Sequence, residues 1–328
     1  MARALVLGAT GHIGAHVVRA LLADGHQVRA AFRNERFLSV LEDLPVERVR
    51  VDLDTAEGLR EALTDCEWVF HAAAYYPSFQ ERRERALARA AASTQRILAL
   101  LKDAKPARVV FTSSAATIRR IPGRLATEQD IEPWPVTAWR PLYAMVKLTI
   151  EREVMQRYEA GLPVVIVNPS LCVGEYDAHP FSGRVLLMFA KYRLPICLDH
   201  RFNAVYTGDV GVGHVRAAQR GRLGERYLLA CRNVTLQEFA TLVAQAAGVP
   251  PPRWRVPYRV ALGAAWLSEV WARVTRTEPI LAPAAVHSAR LGQLLDGSKA
   301  VKELGLPQTP LEEAIRRALD WFRSQGYL

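Results

Sequence analysis

Apolar positions in the first half of the chain fall into short solid runs, separated by stretches with helical periodicity. Ala4 to Leu7 is such a run, and an amphipathic stretch from His12 to Asp24 follows it. Gln27 to Phe32, Val46 to Leu53, Glu67 to Ala73, Arg108 to Ser113 and Val164 to Val167 read as further strands. Between them, helices are expected over Thr55 to Leu63, Arg82 to Lys102 and Trp139 to Ala160. Solid runs mark strands covered on both faces, and strands that alternate with helices need crossover connections. The expected fold class is therefore α/β, a doubly wound parallel sheet flanked by helices. After Pro169 the pattern loosens, prolines gather at Pro250, Pro251 and Pro252, and the remainder reads as mainly helical. Residues 1–170 and 203–230 are assigned to the sheet domain, and 171–202 and 231–328 to a smaller, mostly helical lobe.

Composition narrows the class. Half of the 328 residues are apolar and 23% are charged, which excludes a disordered chain. No run reaches the ~18 apolar residues of a spanning helix. The best stretch, Tyr258 to Val274, is broken by Arg259, Glu269 and Arg273. Met1 to Leu7 runs straight into a glycine turn and reads as a buried strand rather than a secretory leader. Cys66, Cys172, Cys197 and Cys231 are far apart and lack zinc spacing, so reduced thiols in a cytoplasmic protein and no metal are expected. The net charge is +10, but acids interleave with the arginines, as in Glu81-Arg82-Arg83-Glu84-Arg85. That pattern reads as a solvated helix face, with no nucleic-acid partner.

The first strand ends in Gly8-Ala9-Thr10-Gly11-His12-Ile13-Gly14 and opens a helix. Glycines there permit a tight turn and close approach of backbone to a pyrophosphate, and the helix start offers N–H groups to phosphates. Gly8, Thr10, Gly11, His12, Ile13 and Gly14 are therefore candidate dinucleotide contacts. An NAD site usually has an acid at the end of the second strand, to bind the ribose 2′-hydroxyl. Phe32 stands there, followed by Arg33, which suits a 2′-phosphate. NADP is expected, with NAD as the alternative. Asp52 and Leu53, at the end of the third strand, are placed to meet the adenine, although Asp52 also fits a cap.

Tyr143-Ala144-Met145-Val146-Lys147 sets a phenol and an ammonium four residues apart on one helix face. A free tyrosine titrates near ~10, and the lysine charge is expected to pull that value down. The fifth strand ends Phe111-Thr112-Ser113-Ser114-Ala115. A hydroxyl at the C-terminal end of a central strand lies where ligands sit in such sheets. Ser114 is the first candidate to bind a substrate oxygen and Ser113 the second; both also fit turn caps.

Together these residues resemble the extended short-chain dehydrogenase/reductase family, the NAD-dependent epimerase/dehydratase group, over nearly the whole chain. The resemblance implies a Rossmann dinucleotide-binding domain and a C-terminal substrate lobe. Gly8 to Gly14 is similar to its cofactor loop, with Leu7 where a threonine is usual. His71-Ala72-Ala73-Ala74 resembles the strand lying along the cofactor, which adds Ala72, Ala73 and Ala74 to the cofactor contacts. Ser114, Tyr143 and Lys147 match the catalytic serine, tyrosine and lysine, and the last two also hold cofactor. Asn168-Pro169-Ser170-Leu171-Cys172-Val173-Gly174 resembles the segment at the nicotinamide end, with Pro169 and Cys172 on cofactor and Ser170 on substrate. Asp296 to Ala300, Glu303 to Gly305 and the ending Trp321 to Tyr327 are similar to the family's C-terminal lobe. One departure is Ala90-Ala91-Ala92-Ser93-Thr94, where an asparagine often orders a relay water. Arg33 and the Asn-Pro-Ser segment are most similar to the dihydroflavonol-reductase branch. That branch includes hopanoid-associated sugar epimerases, to which the tail from Trp271 through Glu278-Pro279 to Lys299 is most similar. Relatives include 3β-hydroxysteroid and sterol dehydrogenases, and homodimers are common.

Reductase and epimerase share this fold, so the site must separate them. Nucleotide-sugar epimerases carry an acid after the second strand and an arginine-aspartate pair before the strand leading to Asp209. Phe32-Arg33 and Arg201-Phe202-Asn203-Ala204-Val205-Tyr206 depart from both. The expected pocket is apolar: Tyr75, Tyr76, Pro77 and Phe79 after the fourth strand, Met145 in the helix motif, and Phe181, Met188, Phe189 and Tyr192 in the lobe. The expected function is an NADP-dependent oxidoreductase passing a hydride between nicotinamide and a bulky hydrophobic alcohol or ketone, sterol or triterpenoid first. An NAD-dependent nucleotide-sugar epimerase of the hopanoid-associated type is the alternative, and a catalytically idle cofactor sensor is a third reading. The stripe Trp266, Leu267, Val270, Trp271 and Val274, flanked by Arg259, Arg273 and Arg276, reads as a lobe helix packed on the sheet domain. Peripheral contact with the inner membrane surface is its alternative.

Overall fold

The computed structural model describes residues 1–328 except 79–80, 134–140, 276, 278, 280–282, 284–285 and 287–291. The chain starts with β1 (Arg3–Leu7), α1 (His12–Ala23), β2 (Gln27–Phe32), β3 (Glu47–Arg50), α2 (Leu59–Leu63) and β4 (Trp68–His71). Next come α3 (Arg83–Ala104), β5 (Arg108–Thr112), α4 (Leu142–Glu159), β6 (Val164–Pro169), β7 (Leu171–Val173) and α5 (Arg184–Ala190). They are followed by β8 (Ile196–Leu198), β9 (Arg201–Tyr206), α6 (Thr207–Arg220), β10 (Arg226–Leu229), β11 (Arg232–Thr235) and α7 (Leu236–Ala247). β12 (Trp254–Val256), α8 (Tyr258–Thr275) and helices over Ser298–Leu304 and Leu311–Ser324 complete the elements used below.

Seven strands form one parallel Rossmann sheet in the order β10-β6-β5-β4-β1-β2-β3. Each strand sends alternate side chains to opposite faces. Ala4, Val6, Ala30, Phe70, Val110 and Val165 join the core beneath α1 and α6. Leu5, Leu7, Val69, Val109, Phe111 and Ile166 join the core beneath α2, α3 and α4. Burying each large apolar side chain is worth ~1.5–3 kcal/mol, so the solid runs and the two helix layers require one another. The chain leaves β1 for β2 on one side, while β4 lies on the other. That reversal opens a crevice at the strands' C-terminal ends, where ligands bind in such sheets.

The second half holds more strand than expected. β7, β9 and β11 form a three-stranded sheet and β8 pairs with β12. β9, which the sequence reading placed mostly with the large sheet, pairs with β7 and β11 instead. The helix expected from Thr55 starts only at Leu59, because Ala56 and Gly58 take positive φ (67° and 73°) and hold the chain in a turn. The expected helix start at Trp139 lies outside the described residues; α4 begins after Pro141. The largest difference is α8. It buries only Ala261, Ala265 and Ala272, the first two beside Leu198, Val256 and Val286 with Leu262 partly buried, and Trp266, Leu267, Val270, Trp271 and Val274 face outward rather than onto the sheet domain. Small side chains set the close contact on that face, and the tryptophans lie on the other. Arg276 and Glu278 lie outside the described residues. Among the described residues no helix is long and apolar enough to cross a membrane.

Candidate active site

A cavity of about 1230 Å³ runs along the C-terminal ends of β1, β2, β4, β5 and β6. Gly8, Thr10, Gly11, His12 and Ile13 form its floor at the start of α1, where no side chain caps the helix. Gly8 has φ +81°, and a Cβ there would lie 2.7 Å from the Ala73 Cα. A Cβ on Gly14 would lie 2.0 Å from the Gly8 carbonyl oxygen. Gly14 therefore does not reach the cavity wall; it lets helix and loop touch. Ala72, Ala73, Ala74, Pro169 and Cys172 also line the cavity. Burial raises the Cys172 thiol to about 12, so it stays protonated. Ser170 Oγ and His71 Nδ1 are buried beside the cavity and have no hydrogen-bond partner among the described residues. A cradle that admits no Cβ, an uncapped helix start and two orphaned polar atoms fit a nicotinamide dinucleotide.

At the adenine end Arg33 lines the cavity, its side chain 70% exposed. Asp54 lies 3.6 Å from Arg33 and 2.6 Å from Arg89, and all three line the wall, as does Leu53. Asp52 does not. Its Oδ1 accepts the N–H groups of Asp54 at 2.8 Å and Thr55 at 3.4 Å and closes a turn after β3; it caps no helix, because α2 starts at Leu59 with Gly58 as its cap. The His12 ring ties the cavity floor to the lobe, with Nε2 2.9 Å from Thr207 Oγ1 and Nδ1 3.3 Å from Ser182 Oγ. Burial lowers its pKa, against the opposing pull of Asp177.

At the other end α4 carries Tyr143 and Lys147 to the cavity beside Ser114. Tyr143 is hydrogen-bonded to Ser114 and to Tyr76, and its hydroxyl is raised above the ordinary phenol value, chiefly by burial. The expected lowering by Lys147 is absent here: the groups that lower the phenol are Ser114 and Tyr76, while the Lys147 ammonium donates to the Thr112 carbonyl at 3.1 Å. Burial lowers Lys147 itself to about 8, against the pull of Glu151. Ser114 Oγ also accepts the Ala116 N–H at 3.1 Å. The Tyr76 ring stacks on Tyr143 at 5.2 Å, and Phe181 packs 4.3 Å from Tyr76. Tyr75 lines the wall with its hydroxyl bonded to Glu81.

Met145 is not on the cavity wall. Two residues after Tyr143 it lies ~200° round the helix, and it is buried in the core. Phe189 is core as well, Tyr192 and Met188 lie outside the wall, and Phe79 is outside the described residues. The sequence reading missed Glu151. It is buried one further turn along the Tyr143–Lys147 face, so the i, i+4, i+8 spacing carried the signal. Its carboxylate accepts hydrogen bonds from Ser113 Oγ, Thr117 Oγ1 (3.1 Å), Asn168 Nδ2 (3.2 Å) and Arg226 Nε (2.6 Å). It thereby pins the end of β5, β6 and the turn that bears Ser114. Ser113 also lines the cavity but gives its hydroxyl to this carboxylate, whereas Ser114 is the serine beside Tyr143, so Ser113 is the weaker of the two candidates.

Residues 4–230 match the NAD dependent epimerase/dehydratase family. The chain belongs to that family. Among its similar proteins, the sterol demethylase protein B of Methylococcus capsulatus is 34% identical over 331 residues, covering 99% of each chain. A 4-hydroxy-2-methyl-3-oxo-4-farnesyl-3,4-dihydroquinoline-1-oxide ketoreductase of Stigmatella aurantiaca is 29% identical, covering 92% of this chain and 91% of its own. The solved structure of a nucleoside-diphosphate-sugar epimerase from Pseudomonas aeruginosa is 28% identical with a TM-score of 0.83, covering 100% of this chain and 99% of its own. As a member of the epimerase/dehydratase family, the chain is an NAD(P)-dependent oxidoreductase acting on CH–OH groups.

Proposed function

We propose that this epimerase/dehydratase-family enzyme uses NADP and interconverts a bulky hydrophobic alcohol and its ketone, sterol or triterpenoid first, in the manner of a 3β-hydroxysteroid dehydrogenase. One observation carries the reading. The catalytic end of the cavity is walled by Tyr76, Tyr143 and Phe181, and the lysines and arginines on the wall are Arg33, Arg85, Arg89 and Lys147. Among the described residues, the lobe adds no lysine or arginine to that wall. A sugar nucleotide brings a diphosphate, which needs such cations where it lies. An apolar polycycle needs only aromatic surface and one placed hydroxyl.

In this reading Ser114 holds the substrate oxygen and Tyr143 moves its proton. Lys147 positions that end through the Thr112 carbonyl and reaches the cofactor ribose. The glycine loop and the start of α1 hold the pyrophosphate, Ala72 to Ala74 flank the dinucleotide, and Arg33 with Arg89 meets the 2′-phosphate. Bound nicotinamide supplies or accepts the hydride. The names of the Methylococcus and Stigmatella relatives, a sterol and a farnesylated ketone, support a hydrophobic substrate. The four free cysteines support a cytoplasmic setting. The Pseudomonas structure's name favours a second reading, a nucleotide-sugar epimerase with bound NAD.

Fluorescence titration of the cofactor-stripped protein with NADPH and NADH separates the two. A preference of tenfold or more for NADPH, about 1.4 kcal/mol, is expected, and Arg33→Ala should narrow it. Turnover of sterol or triterpenoid alcohols should follow. Tighter NADH binding with turnover of nucleotide sugars would overturn the reading.

A further inference from the structure

α8 turns its apolar side to solvent. The residues it buries, Ala261, Ala265 and Ala272, lie within ~40° of one another round the helix axis. Centred on the opposite side are Val260, Trp266, Leu267, Val270, Trp271 and Val274. Leu267 is 74% exposed, Trp271 67% and Trp266 52%. Scattered exposed apolar residues are ordinary, but six on one helix face form a contiguous patch, and such patches mark interaction surfaces. Trp254, in the strand just before the helix, is exposed as well.

The rim of this face is basic. Arg259 and Arg273, on α8 itself, are both exposed beside it. The acid carried by α8 is Glu269, and it is bonded to Arg273. The whole chain carries +10. Tryptophan and arginine beside an aliphatic stripe is the chemistry of a helix lying in the headgroup layer of an anionic bilayer. α8 is not built to cross one. A second copy of the chain fits the charge less well. Two-fold pairing of like faces would set Arg259 and Arg273 of one copy against those of the other. An anionic lipid surface answers them directly.

We propose that the outer face of α8 seats this protein on an anionic lipid bilayer, with the helix in the plane of the interface. The proposal holds whichever substrate the cavity takes, so it stands or falls apart from the functional reading.

Flotation of the full-length protein tests it, with vesicles of phosphatidylcholine alone and of phosphatidylcholine with an equal part of phosphatidylglycerol. The wild type should float with the anionic vesicles, and raising the salt should weaken this. Trp266→Ser/Trp271→Ser should lower the partition coefficient about tenfold or more, and Arg259→Gln/Arg273→Gln by about tenfold. Brominated lipids should quench wild-type tryptophan fluorescence, a readout that needs no variant. Flotation unchanged by the tryptophan substitutions would overturn the proposal, as would absence of wild-type flotation or of quenching. A dimer in sedimentation that the tryptophan variant converts to monomer, without vesicle binding, would assign the face to a second copy instead.

Discussion

Two side chains on one helix face decide how the catalytic end is built. Tyr143 sits among aromatic rings, and burial holds its proton on. A phenol so placed is a proton carrier only while Ser114 and its neighbours keep it oriented. Tyr143→Phe should lower kcat by ~10²–10⁴-fold while the NADPH dissociation constant stays within about threefold. Steady-state rates and a fluorescence titration check both halves, and full activity in the variant would remove Tyr143 from the chemistry. Glu151 works one turn further on, out of the cavity. It is the shared acceptor of Ser113, Thr117, Asn168 and Arg226. Glu151→Leu strands those donors and should cost about 3–5 kcal/mol in a denaturant midpoint, whereas Glu151→Gln, which keeps an acceptor, should cost less. Equal losses in the two variants would show that the carboxylate matters by volume alone. Tyr143, Lys147 and Ser114 were legible because their types and spacing are rare together. Glu151 shares the Tyr143–Lys147 helix face at i+8, but a charged residue on a helix ordinarily faces water, so that spacing was not read as a buried hub.

At the scale of elements, the loop between β1 and α1 shows what a glycine pattern does and does not say. Gly8 and Gly25 both take positive φ (81° and 78°). A Cβ on Gly8 meets the Ala73 backbone, while one on Gly25 meets nothing within 4 Å. Gly25→Ala should therefore cost only the left-handed backbone penalty, about 1–2 kcal/mol, with cofactor affinity unchanged. Gly8→Ala should push the loop off Ala73 and weaken NADPH binding by about tenfold or more beyond any loss of stability. Paired unfolding and titration curves on the two variants check this. Wild-type affinity in Gly8→Ala would mean that the cradle is not part of the cofactor site. The strands of the sheet were readable since each is a solid apolar run. The delayed start of α2 was not, because Ala56 gives no hint that it adopts φ 67°. α8 misled for a different reason. Its stripe has core periodicity, but periodicity says which residues share a face and not what that face meets.

For the molecule as a whole, the buried bases are what the sequence conceals. His12, His16, His71 and His214 all lie in the interior with pKa values lowered, burial being the first cause in each. The order of strands and helices announces a sheet with two helix layers, but not which histidines those layers will enclose. His214 shows how one is kept neutral, with Nδ1 2.7 Å from the Val210 carbonyl and Nε2 2.8 Å from Thr112 Oγ1. His71 and His214 are both lowered to about 4. Unfolded, each would titrate near ~6.5. Between those values the unfolded chain binds more protons than the native one, so stability rises with pH across that window. The contribution is present above ~6.5 and is lost as the pH falls towards 4, ~2 kcal/mol for each histidine by pH 5. Lys147, lowered to about 8, has the same sign higher up: stability should climb again as the pH rises from about 8 towards ~10.4. Acid sensitivity should therefore begin near pH 6, above the range where carboxylates protonate. Denaturant midpoints measured from pH 7.5 down to 4.5 check this. The His214→Gln variant, whatever its stability at neutral pH, should show a shallower fall than the wild type between pH 6.5 and 5. An equal slope in both proteins would mean that His214 binds its proton alike in the folded and unfolded chain, and that the loss in acid comes from the carboxylates.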